Sequence, residues 1–190
     1  MTLTTLDPTA ALIVIDLQQG IVGIPTAHPS EQVVANASRL AAAFRDRGLP
    51  VVLVNVTGGA PGRTEAAPAG GGSAGERPAD WAELVPQLGA QPSDLRVTKR
   101  TWGAFTGTDL DEQLRARGVT QVVLAGISTS AGVESTGRAA HELGYHVALV
   151  TDAMTDRDAV LHDHSVARVF PRIGETATTE ELLARLGSIG

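Results

Sequence analysis

Two charged residues and one turn carry the chemistry this sequence offers. Asp16 follows the apolar run of IVIDLQQG, so its carboxylate ends a strand that reads as buried. Burial disfavours the charged form and raises a carboxyl pKa unless a cation or hydrogen bonds oppose it, which suits Asp16 to general acid or base work. Taken alone, an Asp in this place can equally organise the following loop. Lys99 ends a second β-rich run, LRVTK. A lysine there can pair with Asp16, hold it ionised and orient a substrate or water; a Lys-Arg pair is otherwise a common solvated surface feature. The third element is AGISTSAGVESTGRAAHELGYHV, residues 125–147, which reads as a strand end, a turn of small residues and a helix that includes Gly132. Small residues entering a helix present backbone N–H groups to anions or developing oxyanions. Gly132 costs about 0.5–1 kcal/mol relative to Ala in a helix, so it marks either tight packing or room for a ligand.

The chain has no Cys, which excludes a thiolate nucleophile, thiolate metal ligands and disulfides together. Ser128, Thr129 and Ser130 are hydroxyl alternatives, yet none has an evident His partner in sequence, so no serine triad is expected. His141 is expected to be exposed, and His162 and His164, two apart, point to different faces of a helix. No His or Asp cluster has metal-ligand spacing, so neither a metal nor any other cofactor is expected. Candidate substrate contacts are Gln18, Asn55 at the second strand's end, Arg63, Trp102, Phe105, Ile127 and Ser128. Gln18 is also readable as loop scaffolding, and Trp102 and Phe105 as core.

Elements must hold these residues in place. ALIVI (11–15), VVLV (51–54), VVLA (122–125) and VALV (147–150) are continuous apolar runs, the pattern of parallel strands covered on both faces. Between them, PSEQVVANASRLAAAFRDRG places Val33, Val34, Ala37, Leu40, Ala41 and Phe44 on one helical stripe, with Ser30 as its cap and Gly48 as its stop. Shorter helices are expected from Leu110 to Gly118, from about Thr129 to Gly144, over 157–169 and in EELLARL. Alternating strands and helices predict a three-layer α/β/α sandwich with a doubly wound, mostly parallel sheet. The exception is TGGAPGRTEAAPAGGGSAGERPAD, 57–80, whose composition predicts a surface excursion, either a lid over the strand ends or an insert without function.

A chain of 190 residues that is 43% hydrophobic and 19% charged suits one domain spanning 1–190. Its formal net charge of -6 argues against nucleic acid as the main partner. No apolar stretch approaches the roughly 18 residues of a membrane span, and the N-terminus lacks the basic region of a signal peptide. A soluble cytoplasmic protein acting on a small molecule, with no membrane partner, is the expectation.

Taken together and in this order, IVIDLQQG, VTKRTWGAFTGTDL and VVLAGISTSAGVESTGRAAHELGYHVALVTDA resemble the isochorismatase-like hydrolase superfamily. The resemblance covers nearly the whole chain outside 57–80. It implies a sheet of about six strands and a pocket often completed at an oligomer interface, hence a homo-oligomer, a dimer or higher. It also implies an Asp-Lys-Cys triad in which Asp16 and Lys99 match and Gly132 occupies the Cys position. A cis peptide at Ile127–Ser128 and an oxyanion hole from the amides of Ser128 and Gly132 are implied as well. Metal ligands of the nicotinamidase branch have no counterpart in VNVTGGAPGR, which lacks His. True isochorismatases also lack the Cys and hydrolyse a vinyl ether by protonation from the Asp. The resemblance therefore implies a hydrolase working without a thiol on a small anionic metabolite, by Asp general acid or by water; the alternative is a carboxylate-binding pseudoenzyme of the same fold.

Overall fold

The computed structural model describes residues 3–60, 62–65 and 77–188. Among them, six strands form one parallel sheet: β1 (Ala10–Ile15), β2 (Val51–Val56), β3 (Leu95–Lys99), β4 (Gln121–Ile127), β5 (His146–Thr155) and β6 (Glu175–Ala177). Their order across the sheet is β3-β2-β1-β4-β5-β6. Every residue of β1 and β4 is buried, as continuous apolar runs require when both faces are covered. The chain winds outward from β1 in one direction and from β4 in the other. The β1/β4 boundary is thus the switch point, where an open α/β sheet leaves a crevice at its strand ends.

Among the described residues, six α-helices accompany the sheet: α1 (Gln19–Val22), α2 (Ser30–Asp46), α3 (Leu110–Arg115), α4 (Glu134–Glu142), α5 (Ala159–His164) and α6 (Thr179–Gly187). On one face Leu12, Val14, Leu53 and Val123 pack with the α2 stripe Val33, Val34, Ala37, Leu40, Ala41 and Phe44, and with Leu182 and Leu186 of α6. On the other, Ile13, Ile15, Val52 and Leu124 pack with Leu110 and Leu114 of α3 and Ala140 of α4. The three-layer sandwich therefore has two cores, one on each side. Fully burying each such Leu, Ile or Phe contributes about 1.5–3 kcal/mol, and this holds the strand ends in register.

Two local details differ from expectation. Ser30 is the first residue of α2 and not its cap; Pro29 precedes it, and the Ser30 hydroxyl donates to the Val22 carbonyl at 3.0 Å. The helix expected over 157–169 is α5 followed by a wider π turn at Ser165–Val169. The short β6 has no apolar run to announce it. Of the 57–80 excursion, residues 61 and 66–76 lie outside the described residues.

Candidate active site

Asp16, Lys99 and the 128–132 turn meet at the carboxyl ends of β1, β3 and β4. Asp16 has a positive φ of 54°, a left-handed conformation that Asp tolerates better than most residues and that turns the chain sharply out of β1. Its N–H donates to the Val54 carbonyl at 2.9 Å, fixing the turn against β2. Next to it, Gly126 has φ 124°, and a Cβ there would run into the Ile15 carbonyl; only glycine lets β4 approach β1 this closely.

Lys99 is the chain's only lysine and is 2% exposed. Its Nζ donates to Asp16 Oδ2 at 2.7 Å and to the Thr101 carbonyl at 3.1 Å. An ammonium has three donors, and these two bonds leave one for a ligand. Asp16 Oδ1 is buried and has no hydrogen-bond partner among the described residues. Burial pushes the Asp16 carboxyl up to about 6, against the opposing pull of the Lys99 charge and its hydrogen bond. Desolvation is the larger effect, so Asp16 can take up and release a proton near pH 6.

The turn after β4 begins with a cis Ile127–Ser128 peptide and continues as a π turn, Thr129–Val133, that runs into α4. A π turn is wider than an α turn and commonly accompanies functional sites. Side chains from β5 and beyond fasten it. Asp156 Oδ2 accepts from the Ser130 N–H at 2.7 Å and from its hydroxyl at 2.8 Å. Thr129 Oγ1 lies 2.8 Å from His162 Nδ1, so Thr129 does have the His partner that the sequence did not disclose. This pair lies outside the cavity lining, which leaves the hydroxyl without access to a substrate. Burial, and secondarily the neighbouring His28, hold the His162 pKa below its ordinary value despite Asp163 and Asp156. His162 is therefore a neutral structural partner of the turn.

Gly132 faces Asp16. A Cβ placed on it would lie 3.3 Å from Asp16 Oδ2 and 3.0 Å from Ile15 Cγ2. Even a Cβ would be crowded there, so glycine lets the turn pack directly against the carboxyl group. Both residues line a cavity of about 290 Å³ together with Lys99, Trp102, Ile127 and Ser128, among others. Trp102, 57% exposed, forms part of its mouth.

The other sequence candidates lie elsewhere. Gln18 is fully buried, with Nε2 donating to the Val56 and Trp81 carbonyls at 3.1 Å each and Oε1 accepting from the Val56 N–H at 2.8 Å. It ties the end of β1 to the end of β2, which is the scaffolding reading. Asn55 donates to the Ala82 carbonyl at 3.0 Å and accepts from Thr98 at 2.7 Å, outside the cavity. Phe105 stacks on Tyr145 at 5.9 Å between ring centres. Arg63 is exposed and does not line the cavity.

Other walls had no sequence forecast. Trp81 lies against Gly20, where any Cβ would collide with its ring, and the Arg77 guanidinium stacks over the same ring at 4.0 Å. Gly58 and Gly59 join the lining from the stem of the excursion, and Arg157 closes it from the end of β5. The signals were a tryptophan in a chain with only two, and an arginine two residues after the end of β5. A larger hollow of about 590 Å³ lies at the opposite ends of the strands, between Pro8, Pro50 and Leu95, away from Asp16 and Lys99. Among the described residues no group of three or more His, Asp or Glu is placed to hold a metal ion, and no helix is long and apolar enough to cross a membrane.

Comparison with known proteins agrees with this geometry. Residues 10–181 match the Isochorismatase domain. The chain is 50% identical over 182 residues to the uncharacterized isochorismatase family protein YwoC of Bacillus subtilis, covering 93% of each chain. It is 44% identical over 187 residues to the corresponding protein YecD of Escherichia coli O157:H7, covering 94% of this chain and 96% of that one. An isochorismatase family protein from Burkholderia thailandensis superimposes with a TM-score of 0.90 at 42% identity, over 97% of this chain and 98% of the other. The chain therefore belongs to the isochorismatase family of hydrolases, as a member with glycine at position 132 and no cysteine.

Proposed function

We propose that the protein hydrolyses a vinyl ether in a small anionic metabolite, with Asp16 as the general acid and no covalent intermediate. The observation that carries this reading is a buried carboxyl lining the cavity, its pKa pushed up to about 6, with Gly132 and no thiol packed against it. Lys99 holds Oδ2 at 2.7 Å, and the acid form of Asp16 carries the transferable proton. Asp16 delivers that proton to the terminal carbon of the C=C–O unit, and the ether oxygen stabilises the resulting oxocarbenium ion. Water adds to the cationic carbon and loses a proton. The hemiketal then breaks its C–O bond to give an alcohol and a ketone, and Asp16 recovers a proton from solvent. Lys99 keeps the carboxylate form stable between turnovers. The amides of Ser128 and Gly132 would hold a carboxylate or developing negative charge at the turn.

We further propose that the protein is soluble and cytoplasmic, that its substrate is a small molecule, and that it works as a homo-oligomer without a cofactor. Exposed Trp102 at the cavity mouth and exposed Val160 and Leu161 on α5 supply apolar surface for a second copy. Light scattering of the purified chain tests the oligomer; a monomeric mass sinks it.

The functional test is incubation of the protein, and of Asp16→Asn, with isochorismate, reading pyruvate release, with simple amides such as nicotinamide in parallel. Pyruvate from the wild type and none from the variant supports acid-catalysed vinyl ether hydrolysis. Ammonia from an amide with no pyruvate replaces it with water-mediated amide hydrolysis. Silence on all substrates, while a small carboxylate still raises Tm, replaces it with the binding-only reading.

A further inference from the structure

Among the described residues, the charged side chains lining the cavity are Asp16, Lys99 and Arg157. Asp16 and Lys99 neutralise each other through their 2.7 Å contact. Arg157 is exposed, and its guanidinium pairs with no carboxylate among the described residues; the ion pairs formed there join Arg39, Arg45, Lys99, Arg115 and Arg138 to their partners. With Asp16 ionised, the cavity thus carries one uncompensated positive charge, and it comes from Arg157.

The backbone that carries it is tightly specified. Asp156, 3% exposed, accepts from the Arg157 N–H through Oδ1 at 2.8 Å and from both donors of Ser130 through Oδ2, while its carbonyl accepts from the Ala27 N–H at 2.8 Å. One carboxylate therefore locks the backbone of Arg157 to the turn bearing Ser128 and Gly132, and the same residue's carbonyl ties it to the loop whose Ile24 and Thr26 line the cavity. The remaining wall is largely apolar, with Ile21, Ile24, Val56, Trp81 and Trp102. A planar guanidinium at the edge of an apolar slot matches a carboxylate bidentately, and few neutral groups repay it equally.

We propose that Arg157 is the specificity-determining residue of this site, selecting compounds with an apolar or ring-shaped body and a carboxylate that docks on its guanidinium while the other end reaches Asp16. This deepens the hydrolase reading above and rests on it for the identity of the site. The binding claim is testable without turnover.

Benzoate and its neutral counterpart benzamide serve as probes, titrated calorimetrically into the wild type, Arg157→Gln and Arg157→Lys. The side chain is exposed, so Tm is expected to stay within a few degrees in both variants. Benzoate is expected to bind Arg157→Gln at least about 10-fold more weakly than the wild type. Arg157→Lys is expected to lie between them, and benzamide to be indifferent to the substitutions. Equal benzoate affinity in wild type and Arg157→Gln, equal losses for benzamide, or no benzoate binding to the wild type would each overturn the assignment. Failure here is separable from failure of the chemistry. Arg157-dependent benzoate binding with no hydrolysis of any substrate removes the acid-catalysis reading and leaves this one, and pyruvate release that Arg157→Gln leaves unchanged does the reverse.

Discussion

Lys99 Nζ reaches Asp16 Oδ2 at 2.7 Å although the two residues end strands that are not neighbours: β2 lies between β1 and β3. The pair spans the end of β2. Val56, the last residue of β2, is in register with Lys99 and is fixed to β1 through Gln18. The geometry of the acid thus depends on three strands, and substitutions there separate chemistry from stability.

Asp16→Asn removes the transferable proton while keeping the shape of the side chain. A positioned general acid contributes typically 10²–10⁴-fold, so kcat is expected to fall by about that factor with KM little changed. Steady-state pyruvate release decides it, and retention of more than a tenth of the activity would exclude Asp16 as the proton donor.

The pH dependence has a definite sign. A general acid is active when protonated, so kcat/KM is expected to fall as pH rises through about 6, the value to which burial lifts Asp16. A rate that instead rises through the same range identifies Asp16 as a base and favours water-mediated amide hydrolysis. Because the folded pKa is raised from the ordinary 3.8, the contribution of this group to stability is full below pH ~4 and is lost as pH rises through 6.

Lys99→Met leaves a buried carboxyl without its cation. Breaking a buried pair costs about 3–5 kcal/mol, and the Asp16 pKa is expected to climb further once the opposing charge is gone. Urea unfolding at pH 7 measures the loss. At pH 5 the deficit is expected to narrow, since the protonated carboxyl carries no charge to bury; a deficit that stays constant between the two pH values would refute the coupling.

Gly132→Ala tests the close packing beside the acid. The added methyl sits 3.3 Å from Asp16 Oδ2 and 3.0 Å from Ile15 Cγ2, so it presses on the acid and narrows the cavity wall that Gly132 forms. Displacing the substrate by about an ångström costs about 10²-fold, so kcat/KM is expected to drop by that order while Tm moves by only a few degrees. Full activity in this variant would show that the substrate reacts elsewhere.

The strands, the α2 stripe and the strand-end positions of Asp16 and Lys99 were legible because each is a local pattern: a continuous apolar run, a 3.6-residue period, a charge where hydrophobicity stops. The sheet order was not, since nothing in VVLV or VVLA says which neighbour it takes. Gln18 shows the limit at the site. A glutamine after a strand reads equally as loop scaffolding or a substrate contact, and only partners 38 and 63 positions away show it to be a buried clamp. Trp81 and Arg157 escaped for the same reason, because their places depend on Gly20 and on Asp156 bound to Ser130. Thr129 and His162, 33 apart, likewise meet only in the folded chain.

The glycine at position 132 has a chemical consequence beyond catalysis. A thiolate nucleophile is the first group in an enzyme to meet peroxide or an alkylating agent, and its conversion to a sulfenic or sulfinic acid ends turnover. This chain offers such reagents no sulfur except two methionines, of which Met154 is 1% exposed. A carboxyl and an ammonium are inert to the same oxidants, so if Asp16 and Lys99 carry the turnover proposed above, that turnover is expected to survive peroxide at levels that oxidise thiols.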